Sequence, residues 1–188
     1  MKHSGNAPPI TIPGKGRFMY ADLTRNAKWL GVSDRFQHMP SNFLQALPEL
    51  TLKVNRLLAA TECLESQWNL VDAAFALIWE TPKYRDSENG FALTEGGEAE
   101  FFVNMYSVAN VTYPGAAAVE ILVNAGKETV KKNTEKALEL GAFGAPIFEF
   151  PNSPDRGIFF GSDRWEQMAF IMGKTWLGPN LSNRRSKI

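Results

Sequence analysis

With 188 residues, 44% hydrophobic and 12% aromatic, the chain is long enough for one well-buried core and too short for two large independent ones. Lys+Arg and Asp+Glu both number 20, so no general pull toward nucleic acid or an anionic membrane is built in, and any anion has to be bound locally. The single cysteine, Cys63, excludes an intramolecular disulfide, a Cys-x-x-Cys redox pair and a thiolate zinc site, no run approaches the roughly 18 apolar residues of a membrane span, and Met1 to Asn6 lack the apolar run of a signal peptide.

The opening segment through Arg17 carries Pro8, Pro9, Pro13, Gly14 and Gly16, which argues for a ligand-covering loop over residues 1–20 rather than a helix. Leu23, Ala27 and Leu30 then follow helical spacing and Gly31 stands where a helix stops, predicting a short helix over 22–30. Thr51 is placed to cap a helix carrying Leu52, Val54, Leu57, Leu58 and Cys63. Its packing partner is expected over 67–80, with Leu70, Val71, Ala74, Leu77 and Ile78 on one face and a stop before Pro82. Three more helices are expected over 96–108, 114–124 and 126–140, so that 21–140 reads as a helical insertion domain.

Past Gly141 the pattern changes. Pro146 to Phe150 and Gly157 to Phe160 are short, apolar and aromatic, and the turn-rich Pro151-Asn152-Ser153-Pro154-Asp155 between them predicts a β-hairpin. A last helix over 163–172 is expected to bury Trp165, Met168, Ala169 and Met172, with Gly173 ending it; 141–188 forms the final unit.

Single residues are read plainly. Cys63 on an apolar helix face is expected to be a buried small hydrophobe, and the five tryptophans core anchors. His3 and His38 have no metal-ligand spacing to each other or to Cys63, so no metal is expected. Gly14-Lys15-Gly16 lacks the remaining residues of a nucleotide-binding loop. Asp163 with Glu166 three residues on reads as a capping-box variant.

Gly141-Ala142-Phe143-Gly144-Ala145-Pro146, then a hairpin, then Phe160-Gly161-Ser162-Asp163-Arg164 opening a helix, resembles the C-terminal half of the thioredoxin fold as kappa-class glutathione transferases carry it. Met1 to Pro9 with Pro13-Gly14-Lys15-Gly16, and Trp176-Leu177-Gly178-Pro179, match the same family, so the resemblance spans essentially the whole chain. It implies an α/β, DsbA-like thioredoxin fold with a large helical insertion. The N-terminal βαβ part is largely missing, leaving a mostly helical chain with a C-terminal hairpin and helix. A cis bond is implied before Pro146.

The resemblance further implies glutathione as co-substrate and a homodimer. The N–H and C=O of Ala145 would pair with the cysteinyl part of the tripeptide. Ser162 and Asp163 would meet its γ-glutamyl end at a helix start, Asn6 would donate to the ligand, and Lys15 would neutralise the glycine carboxylate. The implied activity is conjugation of the glutathione thiolate to small electrophiles, or reduction of hydroperoxides. In the family the thiolate is stabilised by a serine ahead of the residue matching Met1, so no catalytic residue is assigned within this chain. Two alternatives follow: a catalytically impaired glutathione-binding variant, and an enzyme like hydroxychromene carboxylate isomerase. The same truncation predicts an unpaired outer edge on the strand after Pro146. Finally, Ser186-Lys187-Ile188 differs from the Ser-Lys-Leu peroxisomal address only in its last residue, and family members reside in peroxisomes and mitochondria.

Overall fold

The computed structural model describes residues 11–33, 47–85, 97–151 and 157–178. In chain order the elements are α1 (Pro13–Leu30), α2 (Leu47–Ala60), α3 (Leu64–Glu80), α4 (Pro82–Arg85), α5 (Gly97–Val108), α6 (Ala116–Glu139), β1 (Ile147–Glu149), β2 (Ile158–Phe160) and α7 (Trp165–Ile171). The described residues are thus mostly helical, with a small antiparallel sheet and a C-terminal helix, as expected. They form two compact units, one from Met1–Ser33 with Thr134–Ile188 and one from Asp34–Asn133, and the division falls inside α6.

The unit of Asp34–Asn133 holds the main core. On α3 the buried residues Leu70, Ala73, Ala74, Leu77 and Ile78 recur at three- and four-residue spacing, which puts them on one helical face. That face belongs to a cluster with Leu50, Val54 and Leu57 of α2, Phe101, Phe102, Met105 and Tyr106 of α5, and Val119 and Val123 of α6. Tyr84 of α4 is fully enclosed, its ring edge-on to Phe101 at 5.6 Å. Its hydroxyl accepts a hydrogen bond from Asn104 Nδ2 at 2.6 Å, so the polar end of this buried ring is paired. A half-buried ion pair, Lys53 Nζ to Glu98 Oε2 at 2.6 Å, ties α2 to α5. The turn between α2 and α3 is closed by Gln67, whose side-chain amide donates to the carbonyls of Leu58 and Thr61.

In the other unit β1 and β2 pair antiparallel, Ile147 opposite Phe160, Phe148 opposite Phe159 and Glu149 opposite Ile158. Aromatic contacts hold this ladder in place: Phe150 against Phe159 at 5.6 Å, and Phe148 against Trp165 of α7 at 5.0 Å. Helix α7 buries Met168 and Ala169. Among the described residues β1 pairs with β2.

Several expectations are corrected. The stretch from Pro13 to Arg17 is not loop but the first turns of α1. Proline occupies the first turn, where no intrahelical N–H is required, and Gly16 N–H already bonds to the Ile12 carbonyl at 3.0 Å. Gly31 does end this helix, with Val32 N–H returning to the Ala27 carbonyl at 2.8 Å. Helix α2 already runs from Leu47, so Thr51 lies inside it instead of capping it, and Leu52 is exposed. The two helices expected around Gly126 are one continuous α6, beginning at Ala116, beyond Pro114. Gly126 is buried where a β-carbon would stand 1.8 Å from the carbonyl oxygen of Arg56, so its glycine serves the approach of α2 and not a helix stop. Cys63 is exposed at the N-cap of α3. There the Ser66 hydroxyl, by hydrogen bonding to the sulfur, draws the thiol pKa below its ordinary value. None of the five tryptophans is fully buried: Trp29, Trp68 and Trp165 are exposed, while Trp79 and Trp176 are half-buried. Met172 is exposed as well, because α7 turns only Met168 and Ala169 inward.

Candidate functional site

The register of the hairpin decides which loop residues meet. Beyond the last ladder pair, Ile147 with Phe160, the Gly161 N–H donates to the Pro146 carbonyl at 3.1 Å. Ala145 and Pro146, entering β1, and Gly161, Ser162 and Asp163, leaving β2, therefore share one end of the strand pair. The Ala145–Pro146 bond is cis, as expected. Ala145 is exposed one residue past that hydrogen bond, so its N–H and C=O stand outside the two-stranded ladder. Ser162 is exposed too.

Asp163 is positioned by Gly161. That glycine has φ +94°, and a β-carbon added to it would lie 2.8 Å from Asp163 Oδ1, so the carboxylate folds back over the bare α-carbon. The carboxylate remains 72% exposed and its cationic neighbour is Arg164 Nη1 at 3.6 Å. An ion pair this open to water is worth about 0–1 kcal/mol, so it leaves the carboxylate free to exchange partners with an arriving ammonium group.

The cap expected of Ser162 and Asp163 does not form. Helix α7 begins at Trp165 with Arg164 as its N-cap and no side-chain capping bond, and Met168 N–H bonds to the Arg164 carbonyl at 2.9 Å. Ser162 and Asp163 lie in the preceding bend, with the carboxylate turned toward Gly161 instead of toward Glu166. A seven-residue helix starting after Arg164 gives these side chains no share of its N-terminal N–H groups.

Lys15 is exposed in the first turn of α1, in the same unit, and among the described residues no hydrogen bond or ion pair joins it to Ala145 or Asp163. Asn6 lies outside the described residues, as do His3, His38 and Ser186-Lys187-Ile188. The structure thus brings together three of the five expected residues, Ala145, Ser162 and Asp163. Two aromatic residues beside them were passed over: Phe143 and Phe160, both exposed, have ring centroids 4.6 Å apart. They flank Ala145 and Gly161 in the chain, and their signal was visible in the two glycine-aromatic motifs themselves.

Chemically, this end of the hairpin offers free main-chain groups, a hydroxyl, an accessible carboxylate and an apolar ring pair. Such a set suits an extended peptide-like ligand with an ammonium group. Among the described residues no group of three or more His, Cys, Asp or Glu is arranged to hold a metal, and no helix is long and apolar enough to cross a membrane.

Residues 1–172 match the profile of the DSBA-like thioredoxin domain. The chain is 29% identical over 182 residues to glutathione S-transferase kappa 1 of Homo sapiens, covering 95% of this chain and 75% of that protein. It is 26% identical over 185 residues to the Rattus norvegicus protein of the same name, with 95% and 75% covered, and 27% identical over 196 residues to that of Caenorhabditis elegans, with 100% and 79% covered. The expected fold agrees with a match of this extent, and the chain belongs to the DSBA-like thioredoxin domain family.

Proposed function

We propose that the chain acts on glutathione as a kappa-class glutathione S-transferase, transferring the tripeptide's thiolate to small electrophiles. The observation that carries this reading is the meeting of Ala145, Ser162 and Asp163 at one end of the β1–β2 pair, in a chain similar to proteins named glutathione S-transferase kappa. In this reading 21–140 is the insertion and 141–188 the C-terminal part of the thioredoxin-like domain.

The cysteinyl segment lies along Ala145 as a further short strand, exchanging N–H and C=O with it, which makes an alanine side chain sufficient there. The γ-glutamyl ammonium goes to the Asp163 carboxylate and the hydroxyl of Ser162 serves its carboxylate, while Asn6 and Lys15 serve the rest of the ligand. A thiol with a pKa near 8.5 is mostly protonated at neutral pH, so conjugation needs a donor that stabilises its sulfur as thiolate. The resemblance assigns that donor to a serine ahead of the position matching Met1. Two copies of the chain are proposed to pair, which sedimentation reads directly, and the Ser186-Lys187-Ile188 tail to direct it to peroxisomes, with import after deletion of those three residues as the check.

The test is binding first and turnover second. Glutathione should raise the melting temperature, and Asp163→Ala should weaken that binding by about tenfold, the loss of one charge-assisted hydrogen bond. Absence of any glutathione-dependent shift in the wild type refutes the reading. A shift without conjugation of an aryl chloride above the uncatalysed rate reduces it to binding alone.

A further inference from the structure

A concave site lies entirely within the unit of Asp34–Asn133, away in sequence from Ala145, Ser162 and Asp163. Residues of α2, α5 and α6 line a cavity of about 340 Å³. Phe102, Val119 and Val123, all buried, make its wall apolar. Two cations line it. Lys53 is already taken, held by Glu98 at 2.6 Å and approached by Glu49 at 3.8 Å. Arg56 is half-buried, and among the described residues no carboxylate lies within ion-pair distance of it. Its main chain is pinned, because its carbonyl rests on the bare α-carbon of Gly126.

A partly desolvated guanidinium beside apolar surface is most stable with a planar anion accepting two of its N–H groups. The other charges narrow the choice. Glu98 and the exposed Glu120 also line the cavity, so a dianion such as phosphate meets repulsion there, while a monoanion needs only Arg56. The volume lies at the low end of small-molecule sites, room for a compact ligand. We propose that this cavity binds a small organic acid, its carboxylate forked on Arg56 and its apolar body against Phe102, Val119 and Val123.

Phenylbutyrate is a suitable probe, with phenylbutanamide as its uncharged counterpart, in titration calorimetry on the full chain. Saturable binding of the acid is expected, with the amide at least about tenfold weaker, since one charge-assisted contact is lost. Arg56→Gln should weaken the acid by a similar factor and leave the amide unchanged. Val123→Phe, which fills the apolar wall, should remove both. The glutathione-dependent melting shift should persist in Arg56→Gln, which separates this site from the one at Asp163 and confirms that the variant folds. Should Arg56→Gln not fold, the acid and amide on the wild type decide alone. Absence of saturation, equal binding of acid and amide, or displacement of the acid by inorganic phosphate at equal concentration overturns the proposal.

Discussion

At Gly161 two constraints coincide, a backbone with φ +94° and the Asp163 Oδ1 atom 2.8 Å from where a β-carbon would stand. Gly161→Ala is therefore expected to cost about 1–3 kcal/mol in urea unfolding and to swing the carboxylate outward. Its glutathione-dependent melting shift should fall toward that of Asp163→Ala, and retention of the full shift would show that the carboxylate position is irrelevant to binding. Gly126 makes the opposite case within a regular helix. Exchanging a helical glycine for alanine usually stabilises by about 0.8–1 kcal/mol. Here the added carbon would meet the Arg56 carbonyl at 1.8 Å, so Gly126→Ala should instead destabilise by about 1–3 kcal/mol or more, and an increase in stability would contradict the helix approach described. Neither constraint was legible in the sequence, because what crowds a glycine is distant in sequence or set by a turn. The same reason hid the exposure of Cys63 and the tryptophans: residue type reports hydrophobicity and not which face of the helix has a neighbour. Ala145, Ser162 and Asp163 were legible because a short hairpin brings nearby segments together, so their order in the chain nearly dictates their meeting.

The sequence located α3 and α5 to within a few residues, since each carries a recurring apolar face that enters the core. It failed where an element is specified by something else. The start of α1 depends on a first turn that tolerates proline, and the continuity of α6 on a contact with α2. Between elements, Lys83 of α4 and Glu100 of α5 form an exposed ion pair. The hydrogen bond from Lys83 holds the Glu100 carboxyl below the usual carboxylate range, and the same bond raises the Lys83 ammonium above the usual lysine value. A carboxyl depressed in the folded state stabilises above its unfolded pKa and loses that contribution as pH falls through the folded value. A raised ammonium stabilises below its unfolded pKa and loses it as pH climbs through the folded one. The pair should thus contribute across the neutral range and fade on both sides, weakly, because water and salt reach it. Lys83→Met should lower the melting temperature slightly at neutral pH and low salt, with the difference closing near pH ~3 and in about 1 M salt. A difference unchanged by either condition would mean that Lys83 acts through its aliphatic stem.

Between the two units the buried apolar side chains that the structure describes are unevenly shared. Among the described residues, the core cluster from Leu50 to Val123 lies within Asp34–Asn133, whereas the other unit contributes Ala27, Met168 and Ala169 to the buried set and leaves Phe170 82% exposed. Burial of large side chains is the main source of local stability, and segments poor in it open well below the global unfolding free energy. Phe101→Ala and Leu57→Ala should therefore each cost about 2–5 kcal/mol. In amide hydrogen exchange α2, α3 and α5 should be the last to exchange, and β1, β2 and α7 should exchange through local opening. The candidate site is built on the unit expected to open first, where a ligand has most to add: one that binds only the closed form stabilises it by mass action. Saturating glutathione is expected to slow exchange in β1, β2 and α7, which open locally, and to slow α3 and α5 only as far as their exchange requires the binding unit to unfold with them. Uniform slowing of α5 alone, with none in the hairpin, would place the tripeptide on the helical unit and remove Ala145 and Asp163 from its site.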